Sequence, residues 1–200
     1  MLVLARGKAM PSEAAPVEYA EAPADALPVA AESFDIAVCQ QGLQFFPDQS
    51  AALDEFYRAL RPGGRLGIAV WSAIDDSPVF AAMYEALREA AGDELADRYR
   101  AGPWRLAEAR DLHGLIVAAG FEDVRVELRT VDVAFEGGAP QFATTLAASG
   151  IAAEIEALRP EQRRELSEAF DKRTHRLTRD GTLRSQTSSN LATARRRSGD

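Results

Sequence analysis

The residues best suited to chemistry gather around one apolar strand. Phe34-Asp35-Ile36-Ala37-Val38-Cys39 is the short apolar run that a buried parallel strand produces, and the amides Gln40 and Gln41 follow it directly. Residues just past the carboxyl end of such a strand face the ligand crevice of an open α/β sheet. An amide there offers a donor and an acceptor to a polar ligand; alternatively, the two glutamines simply finish the strand. Cys39, the single cysteine, reads as a buried small hydrophobe rather than a nucleophile, and it excludes an internal disulfide or a cysteine-based zinc cluster. His113 falls in an amphipathic helix and His175 among Lys172, Arg173 and Arg176. Two distant histidines with no carboxylate at ligand spacing give no metal site. Asp75-Asp76 are adjacent carboxylates that a turn points apart, which suits helix N-capping better than acid–base work. Trp71 reads as core or rim, whereas Trp104, in a loop after Gly102-Pro103, is the better pocket-lining aromatic.

The elements that must position these residues alternate along the chain. Val17-Glu18-Tyr19-Ala20 is a short strand candidate inside a stretch rich in Ala, Pro and Glu, from Pro11 to Pro28. Ser50 through Leu60 places Leu53, Phe56, Tyr57 and Leu60 on one helical face, and Arg61-Pro62-Gly63-Gly64 stops that helix with turn residues. Arg65 to Trp71 reads as a second buried strand, and Pro78 introduces a helix reaching Ala91. Asp111 to Ala119 is a helix ended by Gly120, and Val124 to Phe135 a long strand. Beyond Gly137-Gly138 the pattern turns helical, with a run from Pro160 ended by Asp180-Gly181, a last strand candidate at Ser188 to Ala194, and a frayed tail from Arg195 to Asp200. Strands that alternate with helices predict an α/β fold. The expected architecture is one domain containing a partial doubly wound, Rossmann-like sheet with a helical carboxyl-terminal cover segment. Residues 1–136 form the sheet core, 137–180 the helical insertion, and 181–200 the last strand and tail.

Charge and composition narrow the partners. The chain of 200 residues is 46% hydrophobic, enough for a core, and its 23 basic and 31 acidic groups leave a net charge of −8. Residues 1–100 carry 8 basic and 16 acidic groups, and residues 101–200 carry 15 of each. Such a balance argues against a nucleic-acid partner, and no apolar run approaches the ~20 residues a bilayer span requires. Met1 to Arg6 has too short an apolar stretch for a signal peptide, so a cytoplasmic location is expected.

A more specific signal joins Phe34-Asp35, opening one strand, to Leu60-Arg61-Pro62-Gly63-Gly64-Arg65-Leu66, leading into the next. Asp111-Leu112-His113-Gly114-Leu115 through Ala119-Gly120-Phe121 adds a third piece. Together they resemble the class I S-adenosylmethionine-dependent methyltransferases, in particular the small-molecule, ubiquinone-biosynthesis-like branch. The likeness covers residues 1–135 well and 140–197 more loosely. It implies S-adenosylmethionine as cofactor, with Gln40 at its methionine half. The family's adenine-recognising pair, an acidic or amide residue followed by Ala, falls here on Pro23-Ala24. Proline offers neither an N–H nor a polar side chain, so Asp25 is the nearby substitute. The family's glycine-rich loop and ribose-binding carboxylate would precede Met1-Leu2. The chain therefore reads as a methyltransferase without its amino-terminal third, either a fragment or a chain whose start was assigned to an internal methionine.

The resemblance further implies transfer of a methyl group to a small-molecule acceptor, with no nameable general base, since alignment of acceptor and sulfonium does much of the work. Trp104 and Phe142 are the acceptor-side candidates; Phe142, Leu146, Ile151, Ile155 and Leu158 could instead simply pack on the sheet. The alternative function is a cofactor-incompetent remnant or non-catalytic partner subunit. A third reading, a dehydrogenase, lacks a Gly-x-Gly-x-x-Gly fingerprint. Loss of neighbouring strands would leave an open edge around Ile36 and Val38, through which the chain is expected to self-associate.

Overall fold

The computed structural model describes residues 2–8, 13 and 15–199; Met1, most of the stretch from Ala9 to Ala14, and Asp200 lie outside it. A short helix α1 (Leu2–Arg6) precedes strand β1 (Phe34–Gln40), helix α2 (Gln49–Ala59) and strand β2 (Leu60–Trp71). Helices α3 (Pro78–Ala91), α4 (Asp93–Ala101) and α5 (Ala109–Ala118) lead to strand β3 (Glu122–Phe135). The remaining elements are α6 (Gly138–Ala143), α7 (Ala152–Ala157), α8 (Pro160–Thr174), and strands β4 (Thr178–Arg179) and β5 (Thr182–Arg195).

The sheet runs in the order β1-β2-β5-β3, with β4 attached to β5. β1 and β2 are parallel, while β5 enters antiparallel between β2 and β3. Crossover helices explain the parallel pair; the last strand then fills the gap its predecessors leave. This is the α/β class the sequence predicts.

Near and distant groups together set the helix starts. Asp48 caps α2, its carboxylate accepting the Ala51 N–H at 2.9 Å, an interaction of ~1 kcal/mol. In α3, Val79, Met83, Ala86, Leu87 and Ala90 are buried at helical spacing. Its first turn is satisfied from far away, because the Val79 N–H donates to Ser185 Oγ of β5 at 3.2 Å.

Several sequence expectations need correction. Val17–Ala20 forms no strand. Arg61–Gly64 is not a free turn; Phe34 pairs with Leu60 and Ile36 with Arg65, so the four residues bulge within β2. Gly63 (φ 75°) turns the chain there. A Cβ on Gly64 would lie 2.8 Å from the Arg61 carbonyl oxygen and 3.2 Å from that of Asp35, so only glycine fits. Asp75 and Asp76 cap no helix; Ser77 precedes α3, and the Asp76 carbonyl accepts from Ser188 Oγ. Asp180-Gly181 does not end α8 but forms the two-residue turn between β4 and β5. Both residues have positive φ, as a type I′ hairpin demands. Nor is the tail frayed throughout: Arg196 donates to the Tyr57, Arg58 and Leu60 carbonyls at the end of α2 and pairs with Glu32 at 2.7 Å. A cation at a helix carboxyl end meets the negative pole of its dipole.

Two cores result. On one sheet face Cys39, Leu66, Ile68, Val70, Ala192 and Ala194 are covered by α2 and α5 through Leu53, Leu112 and Ile116. On the other, α3, α4, α6 and α8 gather around the distal half of β5 through Met83, Leu87, Phe142, Phe170 and Leu183.

Candidate functional site

β1 carries its last residues to one wall of a cleft of about 470 Å³, within the range of small-molecule sites. Val38 and Cys39 form that wall, Ala22 to Asp25 the opposite one, and Phe46 to Asp48 close the end. The structure therefore brings Ala24 and Asp25 together with the carboxyl end of β1. Gln40 is a different matter: it stands exposed at the strand end, in register with Ala69, and does not line this cleft.

Gln41, in a left-handed conformation (φ 52°), turns its amide the other way and donates to Ser189 Oγ of β5 at 2.9 Å. Gln44, fully buried, donates to Gln41 Oε1 at 3.1 Å, and its own Oε1 has no partner among the described residues. These amides thus tie the strand ends together. Cys39 is buried as expected; burial pushes its thiol pKa up, against the opposing backbone hydrogen bonds of Leu43 and Gly42, so the thiolate is disfavoured.

The wall carrying Ala24 and Asp25 belongs to a segment without regular structure, and two residues of α2 hold it. The Leu27 N–H donates to Glu55 Oε2 at 2.9 Å. Arg58 donates to the Val29 and Leu27 carbonyls at 3.0 and 3.3 Å and pairs with Glu55 at 2.7 Å. The Arg58 guanidinium, with the Leu27 N–H, holds the Glu55 carboxyl at a pKa of about 2. Sequence reasoning missed this clamp. Its only signal was an acid and an arginine three apart on a helix, a spacing common to solvated faces.

Trp104 and Phe142 are not brought to the cleft. Phe142 is wholly buried, stacked on Phe170 at 5.1 Å and edge-on to Phe135 and Phe80 at 5.0 and 5.3 Å. Trp104 packs against Tyr99 and Phe80 at 5.3 and 5.7 Å. Both occupy the packing role the sequence left open, because the cover helices bury their apolar sides on one another before any ligand can. His113 and His175 are exposed, and no group of three or more His, Cys, Asp or Glu among the described residues could hold a metal ion. Among those residues no helix is long and apolar enough to cross a membrane.

Comparison with known proteins agrees with this architecture. Residues 1–68 match a family profile described as "Methyltransferase domain". An uncharacterized protein of Mycobacterium bovis is 45% identical over 56 residues, covering 28% of this chain and 20% of that protein. The ubiquinone/menaquinone biosynthesis C-methyltransferase UbiE of Klebsiella pneumoniae is 36% identical over 122 residues, covering 54% of this chain and 47% of UbiE. The chain thus spans a fifth to about half of these relatives. In fold, a proposed methyltransferase of Bacillus halodurans superposes with a TM-score of 0.55 at 23% identity, covering 91% of this chain and 78% of that one. A SAM-dependent methyltransferase of Methanosarcina mazei gives 0.50 at 14% identity, covering 99% and 76%.

Proposed function

We propose, from the premise that this chain is related in sequence and fold to the class I S-adenosylmethionine-dependent methyltransferases, that its cleft holds the adenine side of S-adenosylmethionine for methyl transfer to a small molecule. The observation that carries this reading is the convergence of Ala24 and Asp25 with Cys39 and Phe46 at the carboxyl end of a parallel strand. The residues present fit half of the cofactor. Apolar walls suit a purine, and the exposed Asp25 carboxylate can accept from its exocyclic amine, while Pro23 supplies only a carbonyl, already used by the Ala26 N–H.

Bound there, the cofactor would supply an electrophilic methyl group on a sulfonium. The chain's own task is to orient and to exclude water: Phe46 and Pro47 close one end, and the Glu55–Arg58 clamp fixes the opposite wall. The described residues offer no glycine-rich approach to the methionine half and no carboxylate placed for the ribose, so binding by the 200-residue chain is expected to be weak. Titration calorimetry and ligand-observed NMR with S-adenosylhomocysteine test this. The expected result is a dissociation constant above about 0.1 mM, abolished by Ala24→Trp, which fills the cleft. Binding that Ala24→Trp leaves unchanged would sink the assignment, and micromolar binding would overturn the reading of half a site. The acceptor class is the finer part of the proposal. It rests on the UbiE likeness, and comparing quinone-like phenols with amines as acceptors, in an active form of the enzyme, tests it.

A further inference from the structure

The residue that follows β5 reaches the cleft indirectly, through the end of α2. The Gly63 N–H donates to the Arg196 carbonyl at 3.0 Å and the Arg196 N–H to the Gly64 carbonyl at 2.8 Å, so the glycine bulge fixes this backbone. The Arg196 side chain is only 15% exposed and lies over the Tyr57 ring, 4.8 Å from its centre. A guanidinium so enclosed is costly unless its donors are met. One nitrogen of the fork donates to the carbonyls of Tyr57, Arg58 and Leu60, the first two at 3.1 and 3.3 Å. The other holds the Glu32 carboxylate at 2.7 Å.

Glu32 is the strained point of the segment that leads from the cleft wall into β1. Its φ of 57° is left-handed, a conformation that a non-glycine residue keeps only when its surroundings impose it. Two contacts hold it there: its N–H donates to the Arg58 carbonyl at 2.9 Å, and Arg196 grips its carboxylate. The Ser33 N–H adds a bond to the Ala59 carbonyl at 2.9 Å. The Arg58 carbonyl thus accepts from both Glu32 and Arg196, while the Arg58 side chain reaches back to the Leu27 and Val29 carbonyls. The segment from Leu27 to Ser33 is pinned at both ends to the last residues of α2, and Arg196 completes the second pin.

We propose that Arg196 is a positioning residue for the cleft: by bridging Glu32 to the end of α2 it fixes the segment from Leu27 to Ser33, and with it the wall carrying Ala24 and Asp25. Its neighbours do not share the role, since Arg195 is exposed and Arg197 reaches Glu122 at 3.8 Å instead. A lysine could keep the charge but not the fork that meets a carboxylate and main-chain carbonyls together. The latch itself stands on these contacts; its consequence for a bound cofactor rests on the methyl-transfer reading.

The test is ¹⁵N relaxation on the 200-residue chain and its variants. Order parameters report motion within the folded state, so a general loss of stability does not move them. Leu27, Val29 and Glu32 are expected near ~0.85 in the wild type and below ~0.6 in Arg196→Ala. Arg184, whose N–H meets the Leu177 carbonyl at the other end of β5, should keep its value. Arg196→Lys is expected to resemble Arg196→Ala. Unchanged order parameters in Arg196→Ala overturn the proposal, as do equal loosening at Arg184 and full rescue by lysine. In Arg196→Ala the affinity for S-adenosylhomocysteine should fall at least about threefold, in proportion to the fraction of molecules with the wall in place. A loosened wall with unchanged affinity would count against the ligand assigned to the cleft and for the latch alone.

Discussion

At the scale of single residues, Glu55 does more for the cleft than its place on an exposed helix face implies. Its carboxylate receives the Leu27 N–H and orients Arg58 toward the Leu27 and Val29 carbonyls, so one ion pair fixes the segment carrying Ala24 and Asp25. The carboxyl has a pKa of about 2 in the folded protein, against 4.5 for the free side chain. Its contribution to stability is therefore complete above pH 4.5 and is lost as pH falls toward 2. Chemical denaturation of the wild type and Glu55→Gln is expected to show a constant stability difference from pH 6 to 8, narrowing below pH 4.5. A difference that held unchanged down to pH 2 would dissociate the residue's effect from its charge. Phe142 illustrates the opposite case, a residue suspected of ligand contact that is core. Phe142→Ala should lower stability by about 3–5 kcal/mol, measured by denaturant unfolding, while S-adenosylhomocysteine binding by the folded fraction stays unchanged.

At the scale of elements, the run from Phe34 to Trp71 was legible because each strand and helix there obeys its own local rule. Period-two burial at Leu66, Ile68 and Val70, and the apolar face of α2 through Leu53 and Phe56, act within a few residues, as does Pro78 opening α3 just beyond that run. The bulge at Arg61–Gly64 was not legible, because it depends on which carbonyls of β1 the backbone must pass. Gly64→Ala tests that constraint: a methyl group 2.8 Å from a backbone oxygen is expected to cost about 1–3 kcal/mol. Gly67→Ala, whose Cβ meets only Val38 Cγ2 at 3.9 Å, is the mild control. Equal melting temperatures for the two variants would mean the bulge yields. The hairpin at Asp180-Gly181 was misread for a related reason. The same dipeptide ends helices and turns hairpins, and only the Arg179–Thr182 pairing distinguishes the two.

At the scale of the whole molecule, the fold class and the position of the cleft were readable, whereas the division into two cores was not. Which helices share a core is set by how β5 threads between β2 and β3, and its pairings with β2 join residues more than a hundred apart in sequence, such as Leu66 with Ala194. Because β5 is hydrogen-bonded on both sides and β1 on only one, amide exchange should be slowest at Ala192 and its neighbours and fast on the outward side of β1. Exchange equally slow at both strands, followed by NMR, would mean that β1 is paired in solution.

The central place of β5 also governs how the molecule comes into being. Its two neighbours, β2 and β3, are both synthesised before it, yet neither touches the other without it. While the ribosome is still making α8, the growing chain can assemble helices and the β1–β2 pair, but the sheet stays in two pieces with a strand-wide gap between them. Closure waits for β5, whose Leu183 to Ser188 pair with β3 but not with β2 and whose Ser189 to Arg195 then join β3 to β2. A chain that stops just short of Thr182 therefore leaves the facing edges of β2 and β3 unpaired, and joining the two pieces takes the residues from Ser189 to Arg195.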